Sequence, residues 1–142
     1  MVAELAILKD FDHPNIVSLK KCIRTKDKLH IIMEFVEGGS LLTVMKKFGH
    51  QPEETCRAVM QQLLKGLAFL HSRRVIHRDI KCANILLQRG GEVKLSDFGI
   101  ATRAPKEVSG AASYIRLSAL NYLTFLLRLL LLPFSLILVV WD

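Results

Sequence analysis

Cysteine is scarce in this 142-residue sequence. The three cysteines, Cys22, Cys56 and Cys82, lie far apart and form no C-x-x-C pair. This spacing excludes the common zinc-binding patterns, and an odd number of scattered thiols does not form a disulfide framework. The sequence opens without a signal peptide, so we expect reduced thiols in a cytoplasmic protein.

Aromatic residues are also few, at 7% of the chain, and they are not interleaved with basic residues. Surfaces that bind nucleic acid combine cationic with aromatic side chains. We therefore expect no nucleic-acid partner, although the formal net charge is +7. Charge alone does not decide the partner, because a charge of this size suits a nucleotide, an acidic protein surface or nucleic acid about equally well.

Hydrophobic periodicity predicts an α+β fold with two hairpins. Runs of β-branched and large apolar residues favour strands, and apolar residues at helical spacing favour helices. Ser40 and Pro52 are typical of helix starts. The predicted elements are a helix over residues 3–9, strands over 16–23 and 29–35, helices over 41–47 and 52–71, and strands over 85–87 and 93–95.

Two short motifs flank the second predicted hairpin. Residues 77–84 read H-R-D-I-K-C-A-N, and residues 97–99 read D-F-G. Either motif alone also occurs as a surface charge cluster or a common turn. Together, with Asp79 and Asp97 18 residues apart across a hairpin, they form the protein-kinase pattern H-R-D-x-x-x-x-N followed by D-F-G.

The residue types in these motifs suit phosphoryl transfer. Asp79 supplies a carboxylate that orients and deprotonates an acceptor hydroxyl, and Lys81 supplies a cation for the transferring phosphate. Asn84 and Asp97 supply hard oxygen ligands for Mg²⁺, through which Asp97 also holds the nucleotide. The candidate catalytic residues are therefore Asp79, Lys81 and Asn84, and the candidate metal ligands are Asn84 and Asp97.

On these motifs, residues 1–105 resemble the Ser/Thr protein-kinase domain from its regulatory helix through the D-F-G segment. The chain looks most like the kinases that feed MAP-kinase cascades. Lys81, two residues after the catalytic-loop aspartate, matches the family's mark of Ser/Thr specificity. The resemblance implies a partial kinase fold with a regulatory helix, a hinge hairpin, a long lower-lobe helix, a catalytic loop and a second hairpin. It also implies ATP and Mg²⁺ as cofactors and a protein substrate with a Ser or Thr acceptor.

The same resemblance assigns further residues to nucleotide binding. Glu4 matches the regulatory-helix glutamate that pairs with the ATP-binding lysine, and Met33 matches the gatekeeper behind the adenine pocket. Glu34 and Val36 would offer backbone C=O and N–H groups to the adenine edge, and Leu86 would pack beneath the base. The resemblance also aligns four side chains in a spine through both lobes: Leu8, Leu19, His77 and Phe98.

Parts of the family pattern are absent from these 142 residues. They contain no G-x-G-x-x-G loop and no V-A-I-K lysine to pair with Glu4, and no A-P-E motif follows Pro105. We therefore expect a truncated kinase chain that is inactive alone. The alternative is a non-catalytic kinase-like binding module, but such a module has no need to keep Asp79, Asn84 and Asp97.

Residues 106–118 form a divergent junction, and residues 119–141 are strongly hydrophobic. As a helix, the second segment would reach about 34 Å, enough for a hydrocarbon core of about 30 Å, although Arg128 lies near its centre. Three interpretations stay open. The segment is a translated non-coding or truncated product, a membrane anchor with the basic kinase part on the cytoplasmic side, or a helix buried in a core. Only the second implies membrane contact.

Overall fold

The structure is a computed structural model, and it describes residues 8–9, 11–99 and 101–103. Several predicted features fall outside these ranges: the first helix apart from its end at Leu8, the glutamate Glu4, the junction 106–118 and the hydrophobic helix 119–141. Among the described helices, none combines the length and the hydrophobicity that crossing a membrane requires.

The described residues form an α+β arrangement, as the sequence predicts. Two consecutive helices separate the first of three two-stranded antiparallel sheets from the other two along the chain, and the strand pairs are β1–β2, β3–β6 and β4–β5. In chain order the elements are β1 (Leu19–Arg24), β2 (Leu29–Met33), α1 (Leu41–Phe48), α2 (Glu53–Ser72), β3 (Val75–Ile76), a 3-10 turn (Cys82–Asn84), β4 (Ile85–Leu87), β5 (Val93–Leu95) and β6 (Thr102–Arg103).

The helix starts follow local capping. The Ser40 hydroxyl accepts a hydrogen bond from the Thr43 N–H at 3.1 Å, which caps α1 as predicted. Pro52 differs slightly from its prediction, because it directly precedes α2 instead of occupying the first helical position. That position is taken by Glu53, whose carboxylate suits the positive end of the helix dipole.

The first predicted strand begins late because its opening residues pair elsewhere. Ile16 forms a parallel bridge with Leu95. The Val17 N–H donates to the Leu95 carbonyl, and the Leu95 N–H donates to the Asn15 carbonyl, both at 3.0 Å. Pairing with β2 starts only at Leu19. The sequence did not predict β3 and β6, because strands of two residues carry no periodicity.

The core lies between α2 and the β4–β5 hairpin. Its buried side chains from these elements include Leu63, Leu67, Leu70, Ile85, Val93 and Leu95. Gly66 allows the helix to approach the segment before β1, because a Cβ at this position would lie 2.8 Å from the Asn15 carbonyl oxygen. The hairpin that connects the two candidate motifs is therefore packed against the longest helix of the described chain.

A buried polar network holds this junction together. The Asn15 side-chain amide donates to the Val93 carbonyl at 2.9 Å and to Gln62 Oε1 at 3.2 Å. Gln62 Oε1 also accepts the Val93 N–H at 3.0 Å, and Gln62 Nε2 donates to the Gly91 carbonyl at 2.9 Å. One glutamine thus satisfies groups from two other segments, and buried polar groups cost stability when such partners are removed.

We predict that Gln62→Ala lowers the free energy of unfolding by about 1–3 kcal/mol, because the buried Asn15 amide and Val93 N–H lose an acceptor. Gln61 is the matched control, since it is the exposed neighbour on the same helix, and Gln61→Ala should change stability by less than about 0.5 kcal/mol. Urea denaturation of the three proteins measures the difference. Equal stability of the two variants would contradict a role for this network.

Candidate active site

The buried side chain of His77 holds the segment between β3 and β4 in place. Its ring is fully buried and meets the Phe98 ring edge-on, with the centroids 4.7 Å apart. His77 Nδ1 accepts the Asp79 N–H at 3.2 Å, so the proton of the neutral ring lies on Nε2, 3.0 Å from the Ser96 carbonyl. Burial lowers the pKa of His77, which favours this neutral form. The imidazole therefore fixes the backbone at Asp79 to the segment before Phe98.

Asp79 lies at the centre of a compact cluster. Its Oδ2 atom is 2.8 Å from Lys81 Nζ and accepts a hydrogen bond from Asn84 Nδ2 at 2.9 Å. The same Asn84 nitrogen donates to the Asp79 backbone carbonyl, also at 2.9 Å. Burial alone would raise the pKa of Asp79, but the hydrogen bonds from Lys81 and Asn84 outweigh it and hold the pKa below its ordinary value. The carboxylate is therefore ionised and oriented.

Hydrogen bonds to a single carbonyl bring the metal-ligand candidates together. The Asn84 carbonyl accepts the Ser96 N–H at 2.9 Å and the Ser96 hydroxyl at 3.0 Å. Asp97 follows directly, and its side chain is exposed except for a bond from the Gly99 N–H to Oδ1 at 3.3 Å. The bonds of Asn84 to Asp79 use only the amide nitrogen, so its amide oxygen is the atom that can ligate a metal.

This donor set fits Mg²⁺. The described residues include no group of three or more His, Cys, Asp or Glu side chains that could hold a metal ion. A dedicated all-protein cage is therefore not what this part of the chain offers. Mg²⁺ usually binds through one or two carboxylates, completed by phosphates and water. One carboxylate from Asp97 and one amide oxygen from Asn84 match that requirement.

The backbone adopts a left-handed conformation at two positions of the site. Arg78 has φ 69° and Asp97 has φ 63°. Such values are uncommon for residues other than glycine and persist where surrounding contacts enforce them. At Asp97 the conformation turns the chain immediately after Ser96, which leaves the carboxylate exposed beside the hairpin while the next side chain, Phe98, enters the core.

The residues that follow β2 form a hinge segment, defined here as residues 34–40. Met33, before it, is half-buried and packs against the core. Glu34 Oε1 accepts the Ser18 N–H at 2.8 Å and lies 3.0 Å from Lys94 Nζ. Val36 is buried. Among the described residues, no hydrogen bond uses the Glu34 carbonyl or the Val36 N–H.

The far end of the hinge segment lies against β4. The Gly38 N–H donates to the Leu87 carbonyl at 2.8 Å, and the Leu87 N–H donates to the Gly39 carbonyl at 2.9 Å. Ser40 forms an antiparallel bridge with Leu86. Leu86, the predicted floor of the adenine pocket, therefore lies in the strand that runs beside the hinge.

The structure thus gathers the predicted residues at two places on the β4–β5 hairpin. Lys81 and Asn84 both contact Asp79 just before the hairpin begins, and Asp97 follows its end. The second group lies at the hinge and its neighbouring strand: Met33, Glu34, Val36 and Leu86. Glu4 is the remaining predicted residue, and it lies outside the described ranges.

Two contributors were missed by the sequence analysis. Lys94 anchors Glu34, and Ser96 joins Asn84 to the D-F-G motif. No signal for Lys94 existed, because a lysine that alternates with apolar Val93 and Leu95 in a strand is expected on the solvent face, without a particular partner. Ser96 gave no signal either, since a serine before a turn is common.

The geometry agrees with comparisons to known proteins. The sequence profile of the protein kinase domain matches residues 1–123. The chain therefore belongs to the protein kinase domain family. The match begins at the first residue and reaches 18 residues beyond Pro105.

Three curated relatives illustrate the similarity. It is 49% identical over 100 residues to cell division control protein 7 of Schizosaccharomyces pombe, covering 70% of this chain and 9% of that protein. It is 48% identical over 103 residues to mitogen-activated protein kinase kinase kinase 1a of Physcomitrium patens, covering 72% of this chain and 13% of that protein. MAP3K epsilon protein kinase 1 of Brassica napus is 49% identical over 105 residues, covering 72% and 8% respectively.

These similarities confirm the predicted resemblance to kinases that feed MAP-kinase cascades. The chain spans about a tenth of the length of the curated relatives it matches.

We predict that Lys81→Met raises the pKa of the Asp79 carboxyl, because the ammonium no longer favours the ionised form. Titration of the Asp79 side-chain carbon signal by NMR measures the shift. A native carboxyl with a depressed pKa stabilises the fold at neutral pH and loses that contribution in acid. The variant should therefore lose stability at neutral pH. Lys46→Met, at an exposed position on α1, should leave the pKa of Asp79 unchanged. An unshifted titration in Lys81→Met would rule out the ion pair.

Proposed function

We propose that this protein transfers the γ-phosphoryl group of ATP to Ser or Thr side chains of protein substrates. The observation that carries the proposal is the cluster around Asp79. Lys81 and Asn84 both bond its Oδ2 atom, and Asn84 is joined through Ser96 to the segment that presents Asp97. A base, a cation and two metal ligands are thereby held by one short hairpin.

The proposed role of Asp79 follows from which of its two carboxylate oxygens is already hydrogen-bonded. Because Oδ2 of Asp79 is engaged, Oδ1 remains to accept a hydrogen bond from the acceptor hydroxyl, and no described residue bonds it. The hydroxyl proton passes to Asp79 as the new oxygen–phosphorus bond forms and the bond between the γ-phosphorus and ADP breaks. Lys81, 2.8 Å from the same carboxylate, would supply a cation to the charge that develops on the transferring phosphoryl group.

Asn84 and Asp97 would hold Mg²⁺ beside this cluster. The ion, when bound, would neutralise charge along the ATP phosphates. The two residues contribute orientation, because the Ser96 bonds fix Asn84 and the left-handed backbone fixes Asp97.

The hinge segment supports binding of the adenine base. The Glu34 carbonyl and the Val36 N–H form an acceptor and a donor two residues apart, and no described residue satisfies either group. Such a pair suits the hydrogen-bonding edge of adenine, which carries an amino donor and a ring-nitrogen acceptor. Met33 and Leu86 would supply apolar surface at the back and at the floor of this adenine-binding site.

The test uses the full-length protein with Mg·ATP and a general Ser/Thr protein substrate. We predict that Asp79→Asn lowers kcat by about 100-fold or more, because the base is lost. Asp97→Ala should abolish Mg²⁺-dependent nucleotide binding, since the principal metal carboxylate is gone. Phosphoamino-acid analysis of the product should give phosphoserine or phosphothreonine.

Asp27→Ala is the matched control, because Asp27 is an exposed carboxylate in the turn between β1 and β2. It should retain full activity. Undiminished activity in Asp97→Ala would overturn the site assignment, and nucleotide binding without phosphoryl transfer would favour the non-catalytic module. The 142-residue chain, assayed in parallel, should be inactive, and phosphate incorporation that Asp79→Asn abolishes would contradict that expectation.

We also propose a cytoplasmic location. Cys22, Cys56 and Cys82 are all free thiols, and burial raises the pKa of Cys82 to about 11, so this thiol is protonated and unreactive. Free thiols of this kind suit a reducing compartment. We predict recovery in the soluble fraction of cells. Recovery in membranes that resist extraction at high pH would instead favour an anchor at residues 119–141.

A further inference from the structure

The hinge segment is bonded to the β4–β5 hairpin at both of its ends. At its start, the largely buried Glu34 side chain pairs with Lys94 on β5. At its far end, Gly38 and Gly39 exchange two backbone hydrogen bonds with Leu87 on β4. Between these fixed points lies Val36, whose backbone N–H is one of the two groups assigned to adenine. The spacing between hinge and hairpin is therefore set by contacts on either side of that group.

At Gly38 this spacing leaves no room for a side chain. A Cβ at this position would lie 2.3 Å from the Leu87 carbonyl oxygen and 3.0 Å from the Leu87 carbonyl carbon. Both atoms belong to backbone, so they cannot rotate away as a flexible side chain could. The requirement is one of space, because Gly38 is absent from the glycines with positive φ. Gly39 is the opposite case, with φ +73° and open space around the position of a Cβ.

Any side chain at position 38 would therefore separate the hinge from β4. Ordinary van der Waals contact between a Cβ and a carbonyl oxygen requires a displacement of about 1 Å. That displacement breaks the Gly38 N–H bond to Leu87 and moves Val36, two residues earlier, relative to Leu86, the residue before Leu87. Val36 would bond the edge of the base and Leu86 would pack beneath it, so the displacement would misalign the two contacts.

We propose that Gly38 is a positioning residue for the nucleotide, and that its missing side chain sets how closely the Val36 N–H, which would bond the edge of adenine, approaches Leu86, which would pack beneath the base. The inference rests on the proposed kinase function. It assigns to Gly38 no contact with the reacting groups, since the cluster at Asp79 lies at the other end of β4.

The test compares steady-state kinetics of Gly38→Ala and wild type in the full-length protein. We expect KM for ATP to rise about tenfold, the factor that corresponds to about one net hydrogen bond. The kcat value and KM for the protein substrate should change by less than about twofold, because only binding of the base is lost. A purely structural defect would lower the active fraction, and hence kcat, without this selective change.

Gly66→Ala is the matched control. It also places a Cβ against backbone, 2.8 Å from the Asn15 carbonyl oxygen, but on α2, outside the hinge. It should lower the melting temperature and leave KM for ATP unchanged. An unchanged KM for ATP in Gly38→Ala would overturn the proposal, and so would an equal rise in Gly66→Ala.

A second variant keeps the proposal testable if Gly38→Ala does not fold. Arg89 pairs with Glu37 at 2.9 Å at the outer end of the hinge, and the Arg89 side chain is 84% exposed. Arg89→Glu places like charges there without a steric clash, and KM for ATP should rise about threefold to fivefold. No change would count against the proposal. Absence of phosphoryl transfer in wild type would instead refute the proposed function, and fluorescent-nucleotide titration would then still report on Gly38.

Discussion

Along β5 and the residue after it, four consecutive positions together bond to four other segments of the chain. Val93 bonds to Asn15 and Gln62, and Lys94 pairs with Glu34 in the hinge. Leu95 exchanges backbone hydrogen bonds with the segment before β1, and Ser96 joins the catalytic loop through Asn84 and His77. The alternation of a strand explains the pattern, because its apolar side chains enter the core while its backbone and polar side chains reach neighbouring segments.

This arrangement determines how charge is distributed in the site. Asp79 is partly buried and paired, so its negative charge is compensated within the chain. Asp97 is exposed, and its carboxylate bonds only the Gly99 N–H among described residues. A compensated carboxylate keeps a fixed orientation, whereas an exposed one retains its affinity for a cation. His77 contributes no charge, because burial keeps its ring neutral, and a neutral ring can accept from Asp79 and donate to Ser96 at once.

The extent to which the sequence predicted this structure depends on the range of the interactions involved. The motif residues Asp79, Asn84 and Asp97 could be predicted, because the chemistry demands particular residue types at fixed spacing. The second hairpin was predicted with its observed bounds, since turn glycines and apolar runs are local signals. The start of β1 was not, because Ile16 and Val17 satisfy their backbone through β5, distant in sequence. Local pattern contains no information about such a partner.

Gly38 is a second feature whose structural cause cannot be predicted from local sequence. In the sequence, Gly38 and Gly39 are equivalent signs of a chain break. In the structure one is required by the Leu87 backbone and the other by its own dihedral angle. The two glycines can be told apart only from the close approach of the hinge segment to β4, two segments that are distant in sequence.

The β4 strand places the two halves of the site at a defined distance from each other. Asn84 precedes the strand and Leu87 ends it, and three residues of extended chain span about 10 Å. The proposed metal ligand Asn84 is at one end and the hinge contact is at the other, so a nucleotide bound along β4, as proposed, would have its phosphates and its base held by one rigid element. Because β4 is paired with β5, and β5 is packed on α2, this distance does not depend on the hinge. Movement of the hinge therefore alters how the base is held, while the geometry of Asp79, Asn84 and Asp97 stays with the hairpin.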